Sequence, residues 1–205
     1  MATLFLNSSP HSANSHGYRL AREMLGALHR DADPATLIVR DLAAEPLPQI
    51  SGDYARAITS RDGDTSQFAW SEKLIVELEQ TDLLVINTPM HNFTVPATLK
   101  LWIDHVLRIH RTFAATPEGK VGLLKDRPTI VIVGSGGFHA GESAKQPDFL
   151  TPYLRYALGS VGIHNVSFVL LQGLVMGDDM VARMVDNART SIAALAPFNT
   201  AVEPA

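Results

Sequence analysis

Five short runs of nearly unbroken apolar residues punctuate the chain: Thr3–Asn7, Thr36–Asp41, Asp82–Thr88, Pro128–Gly134 and Val166–Gln172. Each is rich in Leu, Ile and Val, and none alternates cleanly with polar residues. A strand with one face in water alternates; a strand covered on both faces, as in a parallel sheet, does not. Between the runs the period changes. Ala21, Met24, Leu25 and Leu28 follow i, i+3, i+4, i+7 spacing. Leu99, Trp102, Ile103, Val106 and Leu107 extend that pattern to i+8, and Val181, Met184, Val185, Ala188 and Ile192 repeat it near the end. Leu74 and Leu78 lie one turn apart within a further helix at 67–80. Start signals agree with these assignments: Pro96 suits a first turn, Thr151 reads as an N-cap followed by Pro152, and Asp178 and Asp179 open the last helix. Strand then helix, five times over, predicts a doubly wound α/β domain spanning 1–205 around one five-stranded parallel sheet.

Two connections exceed simple turns. Residues 43–65 carry Pro46, Pro48, Gly52 and Gly63, and residues 134–150 carry Gly134, Gly136, Gly137 and Gly141. Long connections in compact domains are usually functional or mobile. Five strands favour the order 2-1-3-4-5 of flavodoxin-like folds, which bind ligands at the carboxyl ends of their strands. Totals narrow the chemistry. At 205 residues one core suffices. With 46% hydrophobic and 19% charged residues the balance is globular. The net charge of −4, without any Lys/Arg run, argues against nucleic acid and anionic membrane as partners. The absence of cysteine excludes disulfides, thiolate metal sites and cysteine nucleophiles. No uncharged stretch reaches the ~18 residues of a membrane helix. The start, Met1–Asn7, enters an apolar run without a basic leader, so no signal peptide and a cytoplasmic location are expected.

Three strand-end loops carry the candidate chemistry. The first, Ser8 to Gly17, offers Ser8, Ser9, Ser12, Asn14 and Ser15 as side-chain donors, besides His11 and His16, at the start of a helix. Helix N-termini suit phosphate. The loop lacks Lys and Arg, matches neither the P-loop nor GxGxxG, and so points to a phosphate monoester held by hydroxyls and backbone amides. The second loop, Pro89-Met90-His91-Asn92-Phe93, can lay amides and apolar groups against a flat ring. The third, Gly134-Ser135-Gly136-Gly137-Phe138-His139, allows close backbone approach. All three follow strands of a parallel sheet and must share one edge. Asp104, His105 and His110 have spacings that do not face one another on a helix, so no metal site is expected. Trp70 and Trp102 read as core or interface anchors.

These segments resemble the FMN-dependent NAD(P)H azoreductases, also described as quinone reductases. The resemblance covers nearly the whole chain. It rests on the Ser-rich first loop, Val39-Arg40-Asp41-Leu42, Thr88 through Phe93, Pro96 through Asp104, the Gly136-Gly137 loop and Thr151-Pro152-Tyr153-Leu154. It implies a flavodoxin-like homodimer with one FMN per subunit and NADH or NADPH as donor. The phosphate is then expected against Ser9, Ser15, His16 and Gly17, and the isoalloxazine against Met90, His91, Asn92 and Phe93. Gly134, Ser135, Gly136 and Gly137 are expected at its pyrimidine side, with His139 nearby. Asn92 and His139 would orient the ring, with no essential catalytic side chain. The 43–65 loop and the Phe113 region are expected to cover a partner's flavin. The chain departs from the family's usual pattern at His91, at Ser135 and at Ile109-His110-Arg111, all on the substrate side.

The reaction so implied is two-electron, ping-pong reduction of quinones or azo compounds. The alternative is a flavodoxin-like electron carrier that NADH does not reduce directly; carriers tend to be shorter and far more acidic than this chain. A receiver-type signalling module of the same topology needs a phosphorylatable Asp at the end of the third strand, where this chain has Asn87-Thr88.

Overall fold

In the computed structural model residues 1–60 and 65–201 are described. Strands β1 (Thr3–Asn7), β2 (Leu37–Asp41), β3 (Leu83–Pro89), β6 (Thr129–Gly134) and β7 (Val166–Leu171) form one sheet in the order β2-β1-β3-β6-β7. Every pairing is parallel. A two-stranded antiparallel hairpin, β4 (Phe113–Thr116) and β5 (Gly119–Gly122), lies outside it. Counting only the strands of the main sheet, the order is the 2-1-3-4-5 expected.

Helices α1 (His16–Leu28) and α6 (Asp178–Ala193) cover one face. Helices α3 (Ala69–Glu79), α4 (Ala97–Val106) and α5 (Thr151–Ser160) cover the other. Strand β1 illustrates why its sequence is unbroken. Leu4 and Leu6 pack with Leu74, Leu78 and Trp102, while Phe5 turns the other way to Leu20 and Leu25. All five of its residues are buried.

Several expectations are corrected in detail. The 43–65 connection contains a helix, α2 (Gly52–Thr59), N-capped by the Ser51 hydroxyl, which accepts from Tyr54 N at 3.0 Å. Its eight residues bury only Tyr54 and Ala57, too short a stripe for its period to register. Gly63 lies outside the described residues. The β4–β5 hairpin has a largely exposed pattern with no apolar alternation to announce it. Thr151 is the first residue of α5 rather than its cap. The Asp148 carboxylate does the capping, accepting from Leu150 N and Thr151 N at 2.9 Å each. Pro152 sits in the first turn, where a missing N–H costs nothing.

Candidate functional site

A cavity of about 410 Å³ opens at the carboxyl ends of β1, β3, β6 and β7. Strand connections leave β1 and β3 in opposite directions, so their adjoining ends form the switch point where open α/β sheets bind ligands. Its floor and walls come from Ser9, Ser15, His16 and Gly17 after β1 and from Asn87 to His91 at the end of β3. Gly134 to Gly136 follow β6, and Leu174 and Val175 follow β7.

At the β1 end, the chain makes a short 3-10 turn over Ser12–Asn14, with Ser12 at φ 43°. It then enters α1 through Ser15, whose hydroxyl accepts from Tyr18 N at 3.3 Å. The first-turn N–H groups of a helix have no intrahelical acceptor, and those of His16 and Gly17 belong to residues lining the cavity. The Arg19 guanidinium lies 3.0 Å from His16 Nδ1. Arg can only donate, so the neutral imidazole carries its proton on Nε2. Burial and the adjacent Arg19 charge hold the His16 pKa down. This end of the cavity is therefore rich in neutral donors, with helix α1's positive end behind them.

The opposite end is apolar and close to the backbone. Met90 N donates to Gly134 O at 2.8 Å, tying the second loop to the third. A Cβ on Gly136 would stand 3.2 Å from Val175 Cγ1, and one on Gly134 would stand 3.4 Å from Leu174 Cδ1. Glycine thus leaves a slot between backbone and an apolar wall. Asn92 and Phe93 form a tight turn, closed by His91 N to Thr94 O at 2.9 Å and Thr94 N to His91 O at 3.1 Å. Both have positive φ, 46° and 76°, the pattern of a type I′ hairpin turn. Behind the third loop the Ser135 hydroxyl donates to Gly137 O at 2.8 Å and lies 3.1 Å from His139 Nδ1. With the Ser135 proton so placed, His139 donates from Nδ1 and its Nε2 is left a bare acceptor. That Nε2 is buried without a hydrogen-bond partner among the described residues. Burial pushes the His139 pKa down. Gln172 Oε1 anchors the same segment, accepting from His139 N and Ala140 N at 2.8 and 2.9 Å.

The structure brings Ser9, Ser15, His16, Gly17, Met90, His91, Gly134, Ser135 and Gly136 to one cavity. Gly137 instead lines a neighbouring one of about 530 Å³ with Phe138, Lys145 and Gln146. Asn92 and Phe93 sit at the rim and do not line it; Phe93 is 45% exposed. His139 is behind Ser135, outside the wall. Sequence reasoning missed Asn87 as a lining group and the whole contribution of the loop after β7. The signal for the latter was an apolar Leu-Val-Met stretch bracketed by Gly173 and Gly177, both at positive φ. His105 is buried, with Nε2 2.9 Å from Pro48 O, and Asp104 pairs with Lys100. Among the described residues no three His, Cys, Asp or Glu side chains gather as a metal site. No described helix is long and apolar enough to cross a membrane.

A five-stranded sheet of this order with a ligand cavity at its switch point defines a flavodoxin-like protein, and the chain belongs to the flavodoxin-like fold family, matched over residues 1–195. It is 54% identical over 200 residues to FMN-dependent NADH:quinone oxidoreductase 4 of Pseudomonas fluorescens, covering 97% of each chain. It is 53% identical over 176 residues to FMN-dependent NADH:quinone oxidoreductase 5 of Burkholderia lata, covering 85% of this chain and 86% of that one. Among solved structures, an azoreductase from Bacillus anthracis matches with a TM-score of 0.79 at 23% identity, over 94% of this chain and 97% of that one. An FMN-dependent NADH-azoreductase of the same species, in complex with FMN, matches with a TM-score of 0.78 at 22% identity, over 96% of this chain and 100% of that one. At those identities the structures speak for the fold; the two sequence relatives place the chain in the family that its motifs resemble.

Proposed function

We propose that the chain is an FMN-dependent NADH:quinone oxidoreductase that also reduces azo compounds, working as one FMN-binding domain over 1–205 in a cytoplasmic homodimer. One observation carries the reading: four strand-end loops meet at a single cavity with neutral donors at one end and a glycine-backed apolar slot at the other. That donor set fits a phosphate monoester joined to a flat heteroaromatic ring. NADH is favoured over NADPH as donor because both sequence relatives are named for NADH.

Bound FMN supplies two-electron chemistry, taking reducing equivalents from the nicotinamide and delivering them to the acceptor. The residues supply position and field. Ser9 and Ser15 hydroxyls, with the His16 and Gly17 N–H groups, hold the phosphate at the α1 N-terminus. Met90 and His91 pack along the ring, and the Asn92 N–H and Phe93 approach it from the rim. The backbone N–H of Gly136 favours negative charge at the pyrimidine edge. No side chain is needed as an acid, since solvent reaches the open cavity. One cavity used by two substrates in turn gives ping-pong kinetics.

Phe93 and Phe149 are both exposed and are tied through their backbones, Phe149 N donating to Phe93 O at 3.1 Å. Exposed aromatic surface beside a ligand cavity supports a partner subunit there. The test is spectroscopic. Protein purified and soaked in FMN should retain a yellow chromophore that NADH bleaches anaerobically and a quinone restores. A flavin that NADH leaves untouched indicates an electron carrier instead; no retained flavin at all ends the reading.

A further inference from the structure

Across the sheet's carboxyl edge a relay of polar side chains, half-buried Asp41 and buried Asn7 and Asn87, leads to Ser15, and neither the sequence motifs nor the phosphate site assigns the first three a role. It starts at Asp41, the last residue of β2. Asp41 Oδ1 accepts from Ala43 N and Ala44 N at 3.0 Å each. Its Oδ2 accepts from Asn7 Nδ2 at 3.0 Å. A carboxylate only accepts, so this contact fixes which way the Asn7 amide points. Asn7 Oδ1 is thereby turned to accept, from Ser9 N at 3.2 Å and from Asn87 Nδ2 at 2.8 Å. That in turn fixes the Asn87 amide. Its Nδ2 then donates also to Ser15 Oγ at 3.3 Å.

The relay ends on a hydroxyl with no acceptor capacity left. A serine oxygen has two lone pairs and one hydrogen. Ser15 Oγ accepts from Tyr18 N and from Asn87 Nδ2, so its O–H must donate, and Ser15 lines the cavity. Asn87 can reach it only because residue 17 is glycine. A Cβ at Gly17 would lie 2.2 Å from Asn87 Oδ1 and 3.2 Å from Asn87 Cγ. Asn87 itself is only 2% exposed, so it has little room to retreat without breaking its bonds to Asn7 and Ser15.

We propose that Asn87 is a positioning residue for the phosphate monoester: reaching through the gap left by Gly17, it turns the Ser15 hydroxyl into an obligate donor toward the phosphate. The inference rests on the FMN reading above and concerns only the phosphate end of that site. It makes Gly17 and Asn87 an interlocked pair, so their substitutions are not additive.

The experiment titrates FMN and, separately, riboflavin, which lacks the phosphate, into apoprotein by flavin fluorescence quenching. Four proteins are compared: wild type, Asn87→Ala, Gly17→Ala and the double variant. Losing one positioned hydrogen bond predicts that Asn87→Ala weakens FMN about three- to tenfold and riboflavin less than twofold. Gly17→Ala, by displacing the Asn87 amide, weakens FMN more than Asn87→Ala does. Adding Asn87→Ala to Gly17→Ala restores affinity to about the level of Asn87→Ala alone, because the 2.2 Å clash with Asn87 Oδ1 is gone and only a 3.1 Å contact with the end of the Ile132 side chain remains. Equal losses for FMN and riboflavin reduce Asn87 to a general structural role and overturn the proposal. So do additive losses in the double variant. Gly17→Ala tests the interlock even if Asn87→Ala does not fold. Wild type that binds riboflavin and FMN alike, or neither, removes the FMN reading itself, a result distinct from failure of the Asn87 role.

Discussion

Phe93 sits where the backbone does not want it. A type I′ turn asks for positive φ at both central residues, which Asn tolerates and a bulky side chain does not. Phe93 nonetheless holds φ 76° while the residue is 45% exposed, so packing returns little of that strain. Strain persisting at a cavity rim is the mark of a functional side chain. Phe93→Gly is therefore expected to stabilise the protein by about 1 kcal/mol in urea unfolding while raising the KM for quinone. A second residue-scale expectation concerns His139. Burial holds its native pKa below the ordinary value of 6.5, so unfolding takes up a proton. Its stability contribution is complete above that ordinary value and is lost as pH falls through the lowered native pKa. His16 and His29 are shifted the same way. The thermal midpoint should thus fall between about pH 7 and pH 5, and His139→Gln should flatten the slope without abolishing it. Wild type and variant melting in parallel across that range is the contrary result.

The elements are held at their ends by polar side chains drawn from elsewhere in the chain. Arg127, just before β6, is buried and donates to Leu78 O, to Thr81 O at 2.7 Å and to Lys125 O at 2.8 Å. It thus closes the carboxyl end of α3, whose last carbonyls lack helical partners. Arg127→Met keeps the stem and strips the charged donors from Thr81 O and Lys125 O, while Leu78 O keeps its bonds from Thr81 N at 3.2 Å and Thr81 Oγ1 at 3.0 Å. A loss of about 2–4 kcal/mol is expected in denaturant unfolding. FMN affinity should not change, because Arg127 lies at the amino end of β6 and the cavity at its carboxyl end. Buried Arg40 similarly ties β2 to α3 through Glu77. Within the 43–65 connection, Pro48 O lies within hydrogen-bonding distance of His105 Nε2, and the Tyr54 ring meets that of His105 edge-on. These anchors account for a short α2 whose own period is too brief to specify it.

At the scale of the whole molecule, the exposed Phe93–Phe149 pair places an apolar patch beside the cavity. Sedimentation at micromolar concentration is expected to give a dimer, and Phe149→Glu to shift it toward monomer with reduced turnover. A wild-type monomer with full activity would contradict the proposed assembly. The chain's sequence by itself determined the layered α/β arrangement. Strands covered on both faces must be apolar throughout, as Leu4, Phe5 and Leu6 are, and helices on a sheet must carry a stripe, as Leu99, Trp102, Ile103 and Val106 do. It likewise determined that the loops after β1, β3 and β6 share one edge, because parallel strands leave no other choice. What only the tertiary structure decided is which of those residues face inward and what surrounds them. Asn87 is an unremarkable polar residue in the sequence, and Leu174 and Val175 an ordinary apolar pair. The hydrogen bonds that give Asn87 a direction join residues 34 to 80 positions apart. Such contacts are set by side-chain direction in a packed interior, and no local period or spacing encodes that.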